Sequence, residues 1–161
     1  MKQNPNTPAR HGAISKIIFT LLVINSVALI ANGLFMLADP REWFFMIPGV
    51  KFTGGFNQHF IRDIGLIQLF LGVAFVVGMW RPVIRFELWA AATLWLIAHA
   101  LFHFWEVAVG ICGPSTILQD FPGVTLPALI GIVATVWARL SERTPIAASG
   151  FPSALAANKQ A

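Results

Sequence analysis

The stretch ISKIIFTLLVINSVALIANGLFMLA, residues 14 to 38, holds a single charge, Lys16, in twenty-five residues. A run this long and apolar narrows the folding options sharply. In hydrocarbon no water is available to satisfy backbone N–H and C=O groups, so a spanning segment must bond to itself, and about 20 residues of helix cross the core. Three further runs follow at about residues 61–80, 83–110 and 124–140. The first run exceeds the ~7–15 residues of a signal-peptide core and no small-x-small cleavage site follows it, so it reads as a membrane helix. Pro127 falls in the first turn of the fourth run, where a missing N–H costs little. The expected fold is an all-α integral membrane protein, a four-transmembrane-helix bundle over residues 14–143. Residues 1–13 and 144–161 are expected to be polar or small-residue tails without periodicity.

Composition agrees. Charged residues make up 11% of the chain and hydrophobic ones 57%, against about 25% charged in ordinary soluble domains. The formal charge of +4 raises nucleic acid as a partner, but the basic residues are scattered at the ends of apolar runs and form no patch, which excludes it. The implied partners are the lipid bilayer and either other membrane subunits or further copies of the chain. The one cysteine, Cys112, has no second thiol for an intramolecular disulfide, and no C-x-x-C spacing points to a zinc ribbon or covalent haem.

Lys and Arg set the expected orientation. Lys2, Arg10, Lys16, Arg81, Arg85, Arg139, Arg143 and Lys159 fall on the side of the termini and the 2–3 link, eight of eleven basic residues. Arg41, Lys51 and Arg62 fall opposite, together with Asp39, Glu42, Asp63, Glu106 and Asp120. Both termini are therefore expected in the cytoplasm of a bacterial-type inner membrane. The 1–2 link carries Trp43, Phe44, Phe45 and Met46 before Pro48-Gly49, the pattern of an interfacial segment. The short link WRPVIR makes helices 2 and 3 antiparallel neighbours.

Two polar clusters interrupt the apolar runs. FNQHFIRDIG, residues 56–65, places His59 and Asp63 four apart, with Arg62 beside them; HALFHFWE, residues 99–106, places His99, His103 and Glu106 on one helical stripe. With helix 2 entering from the outer side and helix 3 leaving toward it, both clusters fall in the outer leaflet, on the periplasmic side. Ionisable groups there cost roughly 2.5–3.5 kcal/mol each at a helix centre and persist when paired, solvated or bound to metal. Imidazole with carboxylate suits iron or copper, and also zinc. The expected ligands are His59, Asp63, His99 and His103, with Glu106 as a fifth ligand or as the catalytic base and proton shuttle. Arg62 would hold a carboxylate or a bound anion. The competing reading of each residue is a hydrogen-bonded interfacial group with no metal.

Asn25 and Asn32 share one face of the first helix, as outer-sphere partners of the site or as interhelical hydrogen-bonding groups. Arg85 with Glu87 reads as an interfacial pair. The expected function is a membrane oxidoreductase or oxygenase, or a redox subunit of one. The alternatives are a non-enzymatic accessory or assembly subunit of a larger complex, and a haem b electron-transfer protein using His59 with His99 or His103 and Arg62 toward a propionate. A transporter fits less well, because no polar stripe continues to the cytoplasmic side. By chemistry alone the ligand set is similar to the intramembrane Asp/His/His copper site of particulate methane and ammonia monooxygenases. The architecture loosely resembles small four-helix bacterial membrane proteins of the DoxX-like kind. Neither likeness matches a motif residue by residue, so no role is carried over from either.

Overall fold

The computed structural model describes the backbone of residues 7–142 and the side chains of residues 12–141. The tail expected at 144–161 lies outside the described residues. The regular structure among the described residues is all helical, in the order α1 (Thr7–Ala38), α2 (Pro40–Met46), α3 (Gln58–Trp80), α4 (Arg85–Ala108), α5 (Ser115–Asp120) and α6 (Leu126–Glu142), with single 3₁₀ turns at Val50–Phe52 and Pro82–Ile84. Four segments among these residues are long and apolar enough to cross a membrane: Gly12–Ala38, Gln58–Trp80, Pro82–Ala108 and Ser115–Ser141.

Three boundaries differ from expectation. Helix α1 is already helical at Thr7, the first described residue, rather than from near Ile14. Helix α3 begins at Gln58 rather than near Ile61. The last span begins at Ser115, well before residue 124, because α5 runs into α6 through a π-helical turn at Phe121–Thr125. Pro122 has no N–H for the carbonyl four residues before it, and the Leu126 N–H bonds the Phe121 carbonyl, five residues back.

The four long helices form a ring in the order α1, α3, α4, α6. Glycines shape three of these contacts, by admitting the opposing backbone between α1 and α3 and a side chain at the other two. A Cβ placed on Gly33 would lie 2.6 Å from the Gly65 carbonyl oxygen and 2.8 Å from Leu69 N, so α1 and α3 touch main chain to main chain. Seven residues further along each helix, a Cβ on Gly72 would lie 2.9 Å from the Ser26 carbonyl oxygen. Between α4 and α6, Gly131 takes the Thr93 side chain, and the Thr93 and Thr135 hydroxyls are 3.1 Å apart. Between α3 and α4, the fully buried Trp89 covers Gly78 and donates its indole N–H to the Phe75 carbonyl at 3.0 Å.

One end of the ring, here the lower end, carries the Pro82–Ile84 turn. There Arg85 donates from Nε to the Gly78 carbonyl at 2.9 Å and from Nη2 to the Met79 carbonyl at 3.2 Å. These are last-turn carbonyls of α3, which lack helical partners and carry the negative end of the dipole. The guanidinium also lies over the rings of Phe19, Trp89 and Trp137 at 5.3, 5.3 and 5.7 Å. Arg85 therefore joins α1, α3, α4 and α6, a larger role than the pair with Glu87 expected from sequence.

The opposite, upper end carries α2. Asp39 caps it by accepting the Glu42 N–H at 3.0 Å, and Pro40 occupies the first turn. Phe44 is buried with Met36 and Ile61 in a small second core, and the Trp43 indole donates to Asn32 Oδ1 at 2.9 Å. Asn32 thus ties α2 to α1. Asn25, deeper in α1, is 3% exposed, and its Nδ2 has no partner among the described residues.

Candidate functional site

Helix α3 starts at Gln58, one turn ahead of the apolar run expected from about residue 61. Asn57 Oδ1 accepts the N–H groups of His59 and Phe60 at 3.1 and 3.2 Å, an N-cap that fixes the first turn. His59 Nε2 and Asp63 Oδ2 lie 3.4 Å apart, with side chains 89% and 54% exposed. Their direction follows from the rest of the helix. The buried stripe of α3 runs through Ile61, Gly65, Gln68, Gly72 and Phe75. His59 and Asp63 are each two residues from Ile61, about 200° around the helix, so they point away from the bundle. A pair this exposed contributes about 0–1 kcal/mol.

Arg62 is turned to the neighbouring helix. Its Nε donates to the Leu37 carbonyl at 3.2 Å and its Nη1 to Gln58 Oε1 at 3.3 Å. Leu37 is one residue from the end of α1, so Arg62 satisfies a terminal carbonyl there.

The second cluster is more enclosed. The buried stripe of α4 is Trp89, Ala92, Thr93, Leu96 and Ala100. His99 and His103 each follow a member of it by three residues, which sets them at its edge, half-buried. The His99 ring stacks on Trp95 at 4.9 Å and meets the His103 ring edge-on at 4.7 Å. His103 Nδ1 lies 2.8 Å from Asp120 Oδ2, with side chains 28% and 19% exposed. Asp120 is the last residue of α5, immediately before the π-helical turn, and this stretch packs against α4. A proton on Nδ1 directed at the carboxylate leaves His103 Nε2 with a free lone pair. His99 has no hydrogen-bond partner among the described residues.

Glu106 continues the stripe, half-buried. Its backbone carbonyl closes α4 by accepting from Ile111 N at 2.9 Å and Cys112 N at 3.3 Å, around Gly110 at φ 79°. That is the glycine-terminated helix end that only a residue free to adopt positive φ makes at little cost. Burial pushes the Cys112 thiol above its ordinary pKa, and the nearby carboxylates of Glu106 and Asp120 push it further.

The expected constellation therefore divides. His99 and His103 come together with Asp120, while His59, Arg62 and Asp63 occupy the other helix, with His59 and Asp63 facing outward. Among the described residues, no three His, Cys, Asp or Glu side chains stand as a group able to hold a metal ion. Asp120 is the residue the sequence reading did not assign to the site. Its one sequence signal is its position on the same side of the chain as Glu106. Comparison with protein-family models, with curated proteins and with solved structures gave no match to this chain.

Proposed function

We propose that the protein is a multi-pass membrane protein of a bacterial-type inner membrane, with both termini cytoplasmic and its upper end at the periplasmic face. In this reading Trp43, Phe45 and Met46 rest at the interface, and the His99–His103–Asp120 group works in the outer leaflet. The group serves a membrane oxidoreductase, as the redox subunit of a larger assembly rather than as a complete enzyme.

One observation carries the reading: the 2.8 Å contact between His103 Nδ1 and Asp120. A carboxylate that holds one imidazole nitrogen fixes the tautomer and presents the other nitrogen as a ligand, the usual outer-sphere partner of a metal-binding histidine. Two imidazoles with one orienting carboxylate fit copper or iron by ligand type, though they fall short of a full coordination set. The remaining positions belong to exogenous ligands or to a partner subunit. When bound, the metal supplies one-electron chemistry or activation of oxygen. Of the chain's own groups, His99 and His103 bind, Asp120 orients His103, and Glu106 one turn along handles protons. His59 and Asp63 fall outside this centre, and Arg62 ties α3 to α1.

A second reading has its own support. The His103–Asp120 contact also fastens the α5 stretch to α4, as it would in a structural accessory subunit. Elemental mass spectrometry on protein purified without chelator separates the two. About 0.5–1 equivalent of copper or iron, lost in His99→Ala/His103→Ala, is the expected result. Less than about a tenth of an equivalent after reconstitution removes the redox reading and leaves the accessory one. A Soret band in the visible spectrum would instead assign the histidines to haem b.

A further inference from the structure

The lower half of the α1–α3 seam differs from the upper half. From Gly33–Gly65 to Ser26–Gly72 the two helices meet main chain to main chain. Beyond Gly72 the next glycine of α3, Gly78, faces Trp89 of α4 instead of α1, and a groove of about 420 Å³ opens between α1 and α3. That volume lies within the ~300–1,000 Å³ of sites that receive a single small ligand. Phe19, Val23 and Val27 form one wall, and Val76, Met79 and Trp80 the other. The only hydroxyl among its lining residues, that of Ser26, donates to the Leu22 carbonyl at 2.7 Å, so the groove presents mainly hydrocarbon. Val23, Val27 and Trp80 are 49%, 60% and 78% exposed.

Helical spacing and chain adjacency put two exposed cations next to the residues that line the lower end of the groove. Lys16 precedes Val23 by seven residues and Val27 by eleven, spacings that return to nearly the same helical angle, so Lys16 stands on the stripe that forms the α1 wall. Arg81 follows Trp80 directly and caps α3, its N–H on the Val77 carbonyl at 2.8 Å. Both side chains are exposed. An apolar channel running into the bilayer, with two cations at its lower end, has the charge and polarity profile of an anionic phospholipid.

We infer that the α1–α3 groove is a binding site for one anionic phospholipid, with an acyl chain between the Val23–Val27 and Val76–Trp80 walls and the phosphate between Lys16 and Arg81. The inference rests on the membrane reading of the four helices and is independent of the histidine site. A zwitterionic lipid has the same chains and is distinguished by its lack of net charge. A second copy of the chain would fill the apolar walls and leave the cations unmatched.

The test is native mass spectrometry of the full chain released from detergent, titrated separately with phosphatidylglycerol and phosphatidylcholine of identical chains. One phosphatidylglycerol should bind, well ahead of phosphatidylcholine. Lys16→Glu/Arg81→Glu should weaken it by at least about 30-fold, the factor lost with two juxtamembrane cations before any repulsion from the new carboxylates. Val23→Trp, which fills the groove on an exposed helix face, should remove the bound lipid at unchanged helicity. Quenching by phosphatidylglycerol with brominated chains should fall when Trp80 is replaced by Phe. Equal retention of the two lipids, or full retention by the charge-reversed variant, overturns the assignment. So does a dimer that Val23→Trp disrupts while lipid binding persists.

Discussion

Asp120 and Arg85 each hold a position that no other side chain type fills equally well. Asp120 presents a charge to His103 Nδ1 at 2.8 Å. Asparagine keeps the shape and one acceptor but loses the charge that holds and orients the His103 ring through Nδ1. Asp120→Asn should therefore lower the affinity for added copper about 10–100-fold with helicity unchanged, measured by competition with a coloured chelator. Loss of helicity with no change in metal affinity would mark the contact as structural. Arg85 uses a planar fork to reach two carbonyls while its face lies over three rings. Lysine has a single point charge and no plane to stack. Arg85→Lys should cost about 1–3 kcal/mol in mixed-micelle unfolding followed by tryptophan fluorescence, and an unchanged midpoint would remove Arg85 from the packing argument.

At the scale of elements, the α1–α3 pair makes the sharpest demand on sequence. The atoms nearest a Cβ on Gly33 are backbone, which cannot rotate aside. Gly33→Ala should cost about 1–3 kcal/mol in the same unfolding measurement, whereas Gly54→Ala, with nothing within 4 Å of the new methyl, should stay within about 0.5 kcal/mol. Equal effects would mean that the helices slide past one another to accommodate the methyl. The four spans were legible because length and apolarity alone define them, whereas the start of α3 at Gln58 depends on the Asn57 cap and precedes the apolar run. The register of α1 on α3 was not, since Gly33, Gly65 and Gly72 are visible as small residues but not as partners. His59 and Asp63 were legible as a pair sharing a face. Which face required the stripe through Ile61, Gly65 and Gln68, and that stripe places them outward. Asp120 was hidden because its approach to His103 depends on the direction in which the chain returns after Gly110 and through the π-helical turn at Phe121–Thr125; Gly110 and Pro122 mark those turns in the sequence without giving that direction. Asn32 was legible as polar, while its bond to Trp43 depends on where α2 folds back.

For the whole molecule the decisive quantity is sidedness, and the chain contains its own probe. Cys112 is the one cysteine, half-buried in the connection between α4 and α5, at the end of the ring that the proposed orientation puts in the periplasm. Its thiol is held above the ordinary pKa by burial, then by Glu106 and Asp120. A raised thiol pKa means less thiolate at any given pH, so maleimide labelling should be slow near neutrality and still accelerating beyond the range of a free thiol. Removing either negative charge, in Glu106→Gln or Asp120→Asn, lowers the pKa and should speed labelling at fixed pH. With that chemistry controlled, the topology experiment is simple. A membrane-impermeant maleimide applied at about pH 8.5 to intact spheroplasts should modify Cys112, because that pH supplies enough thiolate for reaction. If labelling appears only after the membrane is permeabilised, the orientation is reversed. The His99–His103–Asp120 group would then face the cytoplasm, and the excess of Lys and Arg at the lower end would lie on the side that the positive-inside rule disfavours.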